Sequence, residues 1–189
     1  METYNKPGFG NKYFKVVKNV LAVLFGIFAL FIIVSFFLES DYKIEKKIET
    51  KAEYSIVEEL IVDPSNWQKW SVWNEEKDST VVFTYEGPKS GKGAVMHFEG
   101  ELLGDGSLKI DNYKDQSIDY KMSFADDAFQ FKGKIFFVPT GEQTEITWVV
   151  NGNVGWNPFA KYFRETLKDL ISQDIQANLE NLKEYAENN

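Results

Sequence analysis

The sequence predicts an α+β protein: a seven-stranded antiparallel sheet wrapped around a long C-terminal helix, preceded by one transmembrane helix. Three patterns carry that expectation. Residues 20–38 form a charge-free apolar run, the middle of the chain alternates apolar and polar residues between turn signals, and the last thirty residues place apolar side chains three or four apart. With 43% of its 189 residues hydrophobic and 16% aromatic, the chain is too apolar for disorder and sufficient for one real core.

The run from Val20 to Leu38 reads VLAVLFGIFALFIIVSFFL, in which only Gly26 and Ser35 fall outside the hydrophobic set. Nineteen residues at 1.5 Å each roughly match a bilayer core of about 30 Å. A cleaved signal peptide would have a shorter apolar region, about 7–15 residues, and a small-residue cleavage site, which does not follow Phe37 and Leu38. A buried core helix would show a polar face, and this one has none. The organisation expected is therefore a short basic segment over 1–19, a span over 20–38 and one domain over 39–189. Lys6, Lys12, Lys15 and Lys18 precede the span, and Lys43, Lys46, Lys47 and Lys51 follow it. Lys15 and Lys18 lie close to the apolar run, whereas the other end begins Glu39, Ser40, Asp41, which favours a cytoplasmic N-terminus and a domain outside the cytoplasm.

Within the domain, Asp41–Thr50 alternates as a first strand, and Ile56, Val57, Leu60 and Ile61 have helical spacing up to Asp63–Pro64. A short helix or turn carries Trp67 and Trp70. Strand signals follow at Val81–Tyr85, at Met96 and Phe98, and from Gly100 to Ile110 around a Gly104–Asp105–Gly106 bend. Others lie at Ile118–Phe124, Phe129–Phe137 and Ile146–Val150, with turns at Asp126–Asp127 and Thr140–Gly141–Glu142. Asn157 as N-cap and Pro158 at the first helical position open one amphipathic helix of about 28 residues. Its stripe is Phe159, Phe163, Leu167, Leu170, Ile171, Ile175, Leu179 and Leu182. A curved sheet needs its concave face covered, and this stripe is long enough to cover it and enclose a pocket.

Composition removes much chemistry. There is no Cys and one His, which excludes disulfides, thiol nucleophiles, Cys-ligated zinc and multi-His metal sites. Of 21 basic residues only one is Arg. Four Lys and one Glu before residue 39 leave −11 on residues 39–189 out of the chain's −8, so neither nucleic acid nor anionic headgroups are expected partners.

Trp67–Gln68–Lys69–Trp70–Ser71–Val72–Trp73, Thr84–Tyr85–Glu86–Gly87–Pro88 with Ser90–Gly91–Lys92–Gly93, and Gly104–Asp105–Gly106–Ser107 occur in an order that resembles the SRPBCC superfamily. Thr144–Glu145–Ile146–Thr147–Trp148 and Leu179–Glu180–Asn181–Leu182–Lys183 continue the resemblance, which covers residues 42–186. It is closest in kind to membrane-anchored members of the START and polyketide cyclase/dehydrase type. The resemblance implies a helix-grip fold with a hydrophobic cavity between sheet and helix. It implies no particular reaction.

Candidate ligand-binding residues are Trp67, Trp70 and Trp73, with Tyr85, Tyr120, Met122, Phe124, Phe131, Trp148, Phe163, Leu167 and Ile171 as cavity walls. The competing reading is structural: the three Trp pack a short helix onto the sheet, and the rest are a filled core. His97 lies on the opposite parity from Met96 and Phe98, so it faces away from any cavity they line. Glu99 and Glu101 share its parity as solvated surface. Gly91–Lys92–Gly93 lacks the phosphate-loop frame, Asp126–Asp127 lacks an EF-hand context, and Asn151–Gly152–Asn153 lacks the Ser or Thr of a glycosylation triplet. Neither a catalytic constellation nor a cofactor or metal pattern assembles.

The favoured reading is a membrane-anchored, non-catalytic binding protein for a small hydrophobic or lipid-like ligand. No protein partner is specified. The alternatives are a polyketide cyclase/dehydratase-like enzyme using buried Tyr or carboxylate groups, and a partner-binding module in an envelope or stress response. An exposed Trp or Phe patch on the folded domain would favour the last of these.

Overall fold

The computed structural model describes residues 9–124 and 129–189, so the expected Asp126–Asp127 turn lies outside the described residues. The elements follow in the order α1 (Phe9–Ser35), β1 (Asp41–Thr50), α2 (Tyr54–Val62), α3 (Trp67–Trp70) and β2 (Val82–Glu86). Then come β3 (Val95–Glu99), β4 (Gly106–Lys114), β5 (Ser117–Phe124), β6 (Phe129–Thr140), β7 (Gln143–Asn153), α4 (Pro158–Tyr162) and α5 (Arg164–Glu187). The seven strands form one antiparallel sheet in the order β1-β7-β6-β5-β4-β3-β2. A meander built by hairpins from β2 to β7 is thus closed by β1 on its far edge.

Alternation decides which face is inside. Ile44 and Tyr42 of β1, Ile146, Trp148 and Val150 of β7, Phe131, Ile135 and Phe137 of β6, and Ile118, Tyr120 and Met122 of β5 all point inward and are buried. Three glycines let aromatic rings lie flat on this inner face. A Cβ on Gly106 would strike Phe98, one on Gly133 would strike Tyr120, and one on Gly152 would strike Tyr42. Such ring-over-glycine pairs give a sheet the curvature it needs to wrap a helix.

α5 runs along β1 in the same direction. Arg164 at its start donates to the Asp41 carbonyl at 3.2 Å, and Glu187 at its end accepts from the Lys51 amide at 2.8 Å and the Thr50 hydroxyl at 3.0 Å. The lengths agree, since ten strand residues span about 33 Å and twenty-four helical ones about 36 Å.

Three expectations require correction. The C-terminal helix is not continuous: Phe163 leaves helical geometry between α4 and α5, with φ −92° and ψ 2°. The apolar stripe is covered only in part, because Ile175, Leu179 and Leu182 are buried while Phe159, Phe163 and Leu170 are exposed. Residues 100–105 are a turn rather than part of β4, which starts at Gly106 and leaves Leu102 exposed.

That turn is held by Asp78. Its carboxylate accepts from the Thr80 amide and hydroxyl (3.0 and 2.5 Å) and from the Leu102 and Leu103 amides (2.7 and 2.9 Å). The Thr80 hydroxyl and these backbone donors hold its pKa well below the usual carboxylate range. A depressed folded-state pKa stabilises the fold above the unfolded value, about 3.9, and the contribution is lost as pH falls below it. Thermal melts are therefore expected to drop steeply below about pH 4. Asp78→Asn should melt lower at neutral pH and lose less on acidification.

α1 contains a 23-residue segment, Tyr13–Ser35, long and apolar enough to cross a membrane. The helix begins before residue 20 and ends at Ser35; Phe36 and Phe37 lie in a turn.

Candidate functional site

The interior between sheet and α5 has a closed half and a half-covered one. In the closed half, Trp67 packs on Trp70, Trp148 and Tyr120 with ring centroids 4.9, 5.6 and 5.6 Å apart. Each indole N–H is satisfied, Trp67 donating to Ile61 O (3.0 Å), Trp70 to Leu60 O (3.1 Å) and Trp148 to the Tyr120 hydroxyl (2.7 Å). Asp63 makes this packing possible locally. Its carboxylate accepts from the Ser65 amide and hydroxyl at 2.9 and 2.6 Å, and the short turn it starts hands the chain to α3. Burial pushes the Tyr120 phenol up, so it stays neutral.

The half-covered part lies under the first turns of α5. No residue between Arg164 and Asp174 is fully buried, and Leu167 and Ile171 are only partly so. At the same end the inner face carries Phe98 and Phe131, buried, and Phe83 and Phe124, partly buried, with Leu103 of the 100–105 turn partly buried against the same core. Phe124 contacts Phe98 and Phe131 at centroid distances of 5.4 and 6.0 Å. Such a lining can remove apolar surface from water; it offers little for proton transfer.

The residues singled out from the sequence therefore separate. Trp67, Trp70, Tyr120, Met122 and Trp148 are fully packed, Phe131 is buried, and Trp73, Phe124, Leu167 and Ile171 are partly buried. Tyr85 sits on the inner face at the free edge, 44% exposed, with its hydroxyl accepting from Gln68 Nε2 at 2.9 Å. Phe163 is exposed.

Asn178 is a residue that the sequence pattern alone does not single out. It is fully buried on α5, its Oδ1 accepts from the Val72 amide at 2.7 Å, and its Nδ2 has no partner. The signal was present: Asn178 stands three after Ile175 and four before Leu182, a polar residue on an apolar stripe.

Two clefts open elsewhere. One of about 500 Å³ lies on the outer face of β2–β5 and is lined by Thr84, His97, Glu99, Ser107 and Ser123 among others. There the Ser107 and Ser123 hydroxyls are 2.9 Å apart, and His97 Nε2 is 3.6 Å from Glu86. The other, of about 270 Å³, includes Glu58, Glu59, Asp63, Lys89 and Tyr113. Glu58 accepts from both Tyr54 and Tyr113, and that hydrogen bond is the main cause that pushes the Tyr113 phenol up to about 12. Both were illegible in the sequence, because their walls come from strands or loops far apart in the chain. Among the described residues no three His, Asp or Glu side chains are grouped to hold a metal.

A sheet of this order gripping a terminal helix defines a helix-grip protein. The chain belongs to the polyketide cyclase / dehydrase and lipid transport family, whose pattern matches residues 41–187. Comparison with curated proteins gives no match. Among solved structures it is similar to a hypothetical protein from Helicobacter pylori, with 11% identity, a TM-score of 0.59, and 78% of this chain and 89% of the other covered. It is also similar to Ara h 8.0201 (15% identity, TM-score 0.56, 79% and 99% covered). Norcoclaurine synthase from Thalictrum flavum, in complex with dopamine and hydroxybenzaldehyde, shares 14% identity with a TM-score of 0.56 over 81% of this chain and 90% of its own. At such identities the likeness is one of fold.

Proposed function

We propose that the protein is a single-pass membrane protein whose domain binds a small hydrophobic or lipid-like ligand without transforming it. The observation that carries this reading is the half-covered, apolar end of the grip, where Leu167 and Ile171 of α5 and Phe124 of β5 are only partly buried beside a core that includes Phe98 and Phe131. The family's description, which includes lipid transport, agrees with it. Burying roughly 400 Å² of ligand is worth about 10 kcal/mol before association costs, and micromolar binding needs about 8 kcal/mol. Lys15 and Lys18 just before the charge-free run 20–38, against Glu39 and Asp41 just after it, support a cytoplasmic N-terminus and a domain outside the cytoplasm.

The test uses the full chain and its tryptophan emission against a panel of fatty acids and isoprenoids. Saturable micromolar responses are expected. Leu167→Gln and Ile171→Gln should each weaken them tenfold or more, about 1.4 kcal/mol, while His97→Ala on the outer face leaves them intact. A folded chain that answers to no apolar compound defeats the reading. The partner-binding alternative draws support from the exposed Trp156, Phe159 and Phe163.

A further inference from the structure

The exposed apolar residues of the domain are concentrated at one end. β1, β2, β4, β6 and α5 begin there and β3, β5 and β7 end there, so this end carries the residues that leave α1, the β3–β4 turn and the β7–α4 turn. Trp156 is 88% exposed, Leu102 78%, Phe163 65% and Phe159 55%. It is also the half-covered end of the grip.

We propose that this rim is seated in the interfacial layer of the bilayer that α1 spans, with α4 lying in that layer beside α1, so that the open end of the grip gives onto lipid rather than water. The inference rests on the reading of α1 as a span. Three observations place the rim at that depth. Only residues 36–40 separate α1 from β1, and five residues reach at most about 17 Å. α4 is docked on α1 itself: Phe31 lies 5.1 Å from the Phe159 ring and 4.3 Å from the Tyr162 ring, and the Tyr162 hydroxyl donates to Phe31 O at 2.9 Å. Phe31 is four residues before Ser35, hence about 6 Å inside the end of the helix, and whatever packs on it shares that depth. Finally, the connection is clamped. Lys161 donates to Ser35 O at 3.2 Å, and Arg164 pairs with Glu39 at 2.9 Å.

The chemistry of the rim selects the occupant. Trp and Tyr with their polar edges suit the headgroup boundary, and the Lys161 stem can lie along hydrocarbon with its ammonium at the surface. The rim sets Glu39, Asp41, Glu101 and Asp105 against Lys161 and Arg164, so its charge is mainly acidic and apolar contact, not attraction to anionic lipid, carries the seating. Neutral phosphatidylcholine is therefore an adequate surface.

Trp156 is the reporter, because Trp67, Trp70 and Trp148 are buried and Trp73 is partly so. The full chain would be reconstituted in phosphatidylcholine vesicles with or without phosphatidylcholine spin-labelled near the headgroup, and flotation recorded. The emission of Trp156, taken as wild type minus Trp156→Phe, is expected to fall by about half or more with the labelled lipid. A chain that floats while Trp156 emission is unchanged by the label overturns the docking and leaves the span standing; the patch is then free for a protein. A chain that does not float overturns the span and the docking together.

Discussion

Removal of residues 158–189 is expected to abolish cooperative unfolding and leave an aggregating remainder. α5 contributes the fully buried Ile175, Leu179 and Leu182, and it lies along β1 and against α2 and α3, so without it those apolar surfaces stand in water. Truncating one such side chain to Ala costs about 2–5 kcal/mol, so losing all three exceeds most of the 5–15 kcal/mol by which domains of this size are stable. Leu179→Ala alone should therefore lower stability by about 2–5 kcal/mol. Leu170→Ala, on the exposed side of the same helix, should stay within about 0.5 kcal/mol. Circular dichroism melts of the three variants check the point. A deletion that still melts cooperatively would mean that the sheet does not depend on the helix.

That contrast between Leu179 and Leu170 also measures how far the sequence could be read. β1, β5 and β7 were legible because alternation fits a half-buried strand and no helix: it is strict from Ile118 to Phe124 in β5, and is carried by Tyr42, Ile44 and Ile48 in β1 and by Ile146, Trp148 and Val150 in β7. The start of β4 was not legible, because Leu102, Leu108 and Ile110 share a parity, and alternation cannot distinguish a strand there from a turn tethered by a distant carboxylate such as Asp78. The C-terminal stripe looks like one surface because helical spacing records which residues share a face, not what covers it. Its first turns meet α1 and open space, its later turns meet the sheet. Local pattern likewise marked Trp67, Trp70 and Trp148 as important without saying whether they touch a ligand or each other. The distances between them, and the carbonyl and hydroxyl partners of their N–H groups, exist only in the folded chain.

Gly133→Val is expected to have the second large effect. Gly133 sits mid-strand in β6, paired with Tyr120 on one side and Val150 on the other. The Tyr120 ring occupies the space above it, where any Cβ would strike the ring carbons and hydroxyl. The ring has little room to retreat, because Trp67 and Trp148 hold it edge-on at 5.6 and 6.2 Å. Overpacking of this kind costs about 1–3 kcal/mol. Displacing the hydroxyl also strips Trp148 Nε1 of its buried acceptor, a further 1–3 kcal/mol or so. The sum is large enough to bring a marginal domain near its threshold, and near-ultraviolet circular dichroism should show the Trp environment disturbed before the backbone signal is lost. The cause can be separated from a general dislike of β-branching at that position. If the clash with Tyr120 is responsible, Gly133→Ala combined with Tyr120→Ala should melt no lower than Tyr120→Ala alone, the coupling term cancelling the cost of the added methyl. Simple addition of the two single losses would show instead that Gly133 is required by its own backbone, and that the ring lies over it without depending on it.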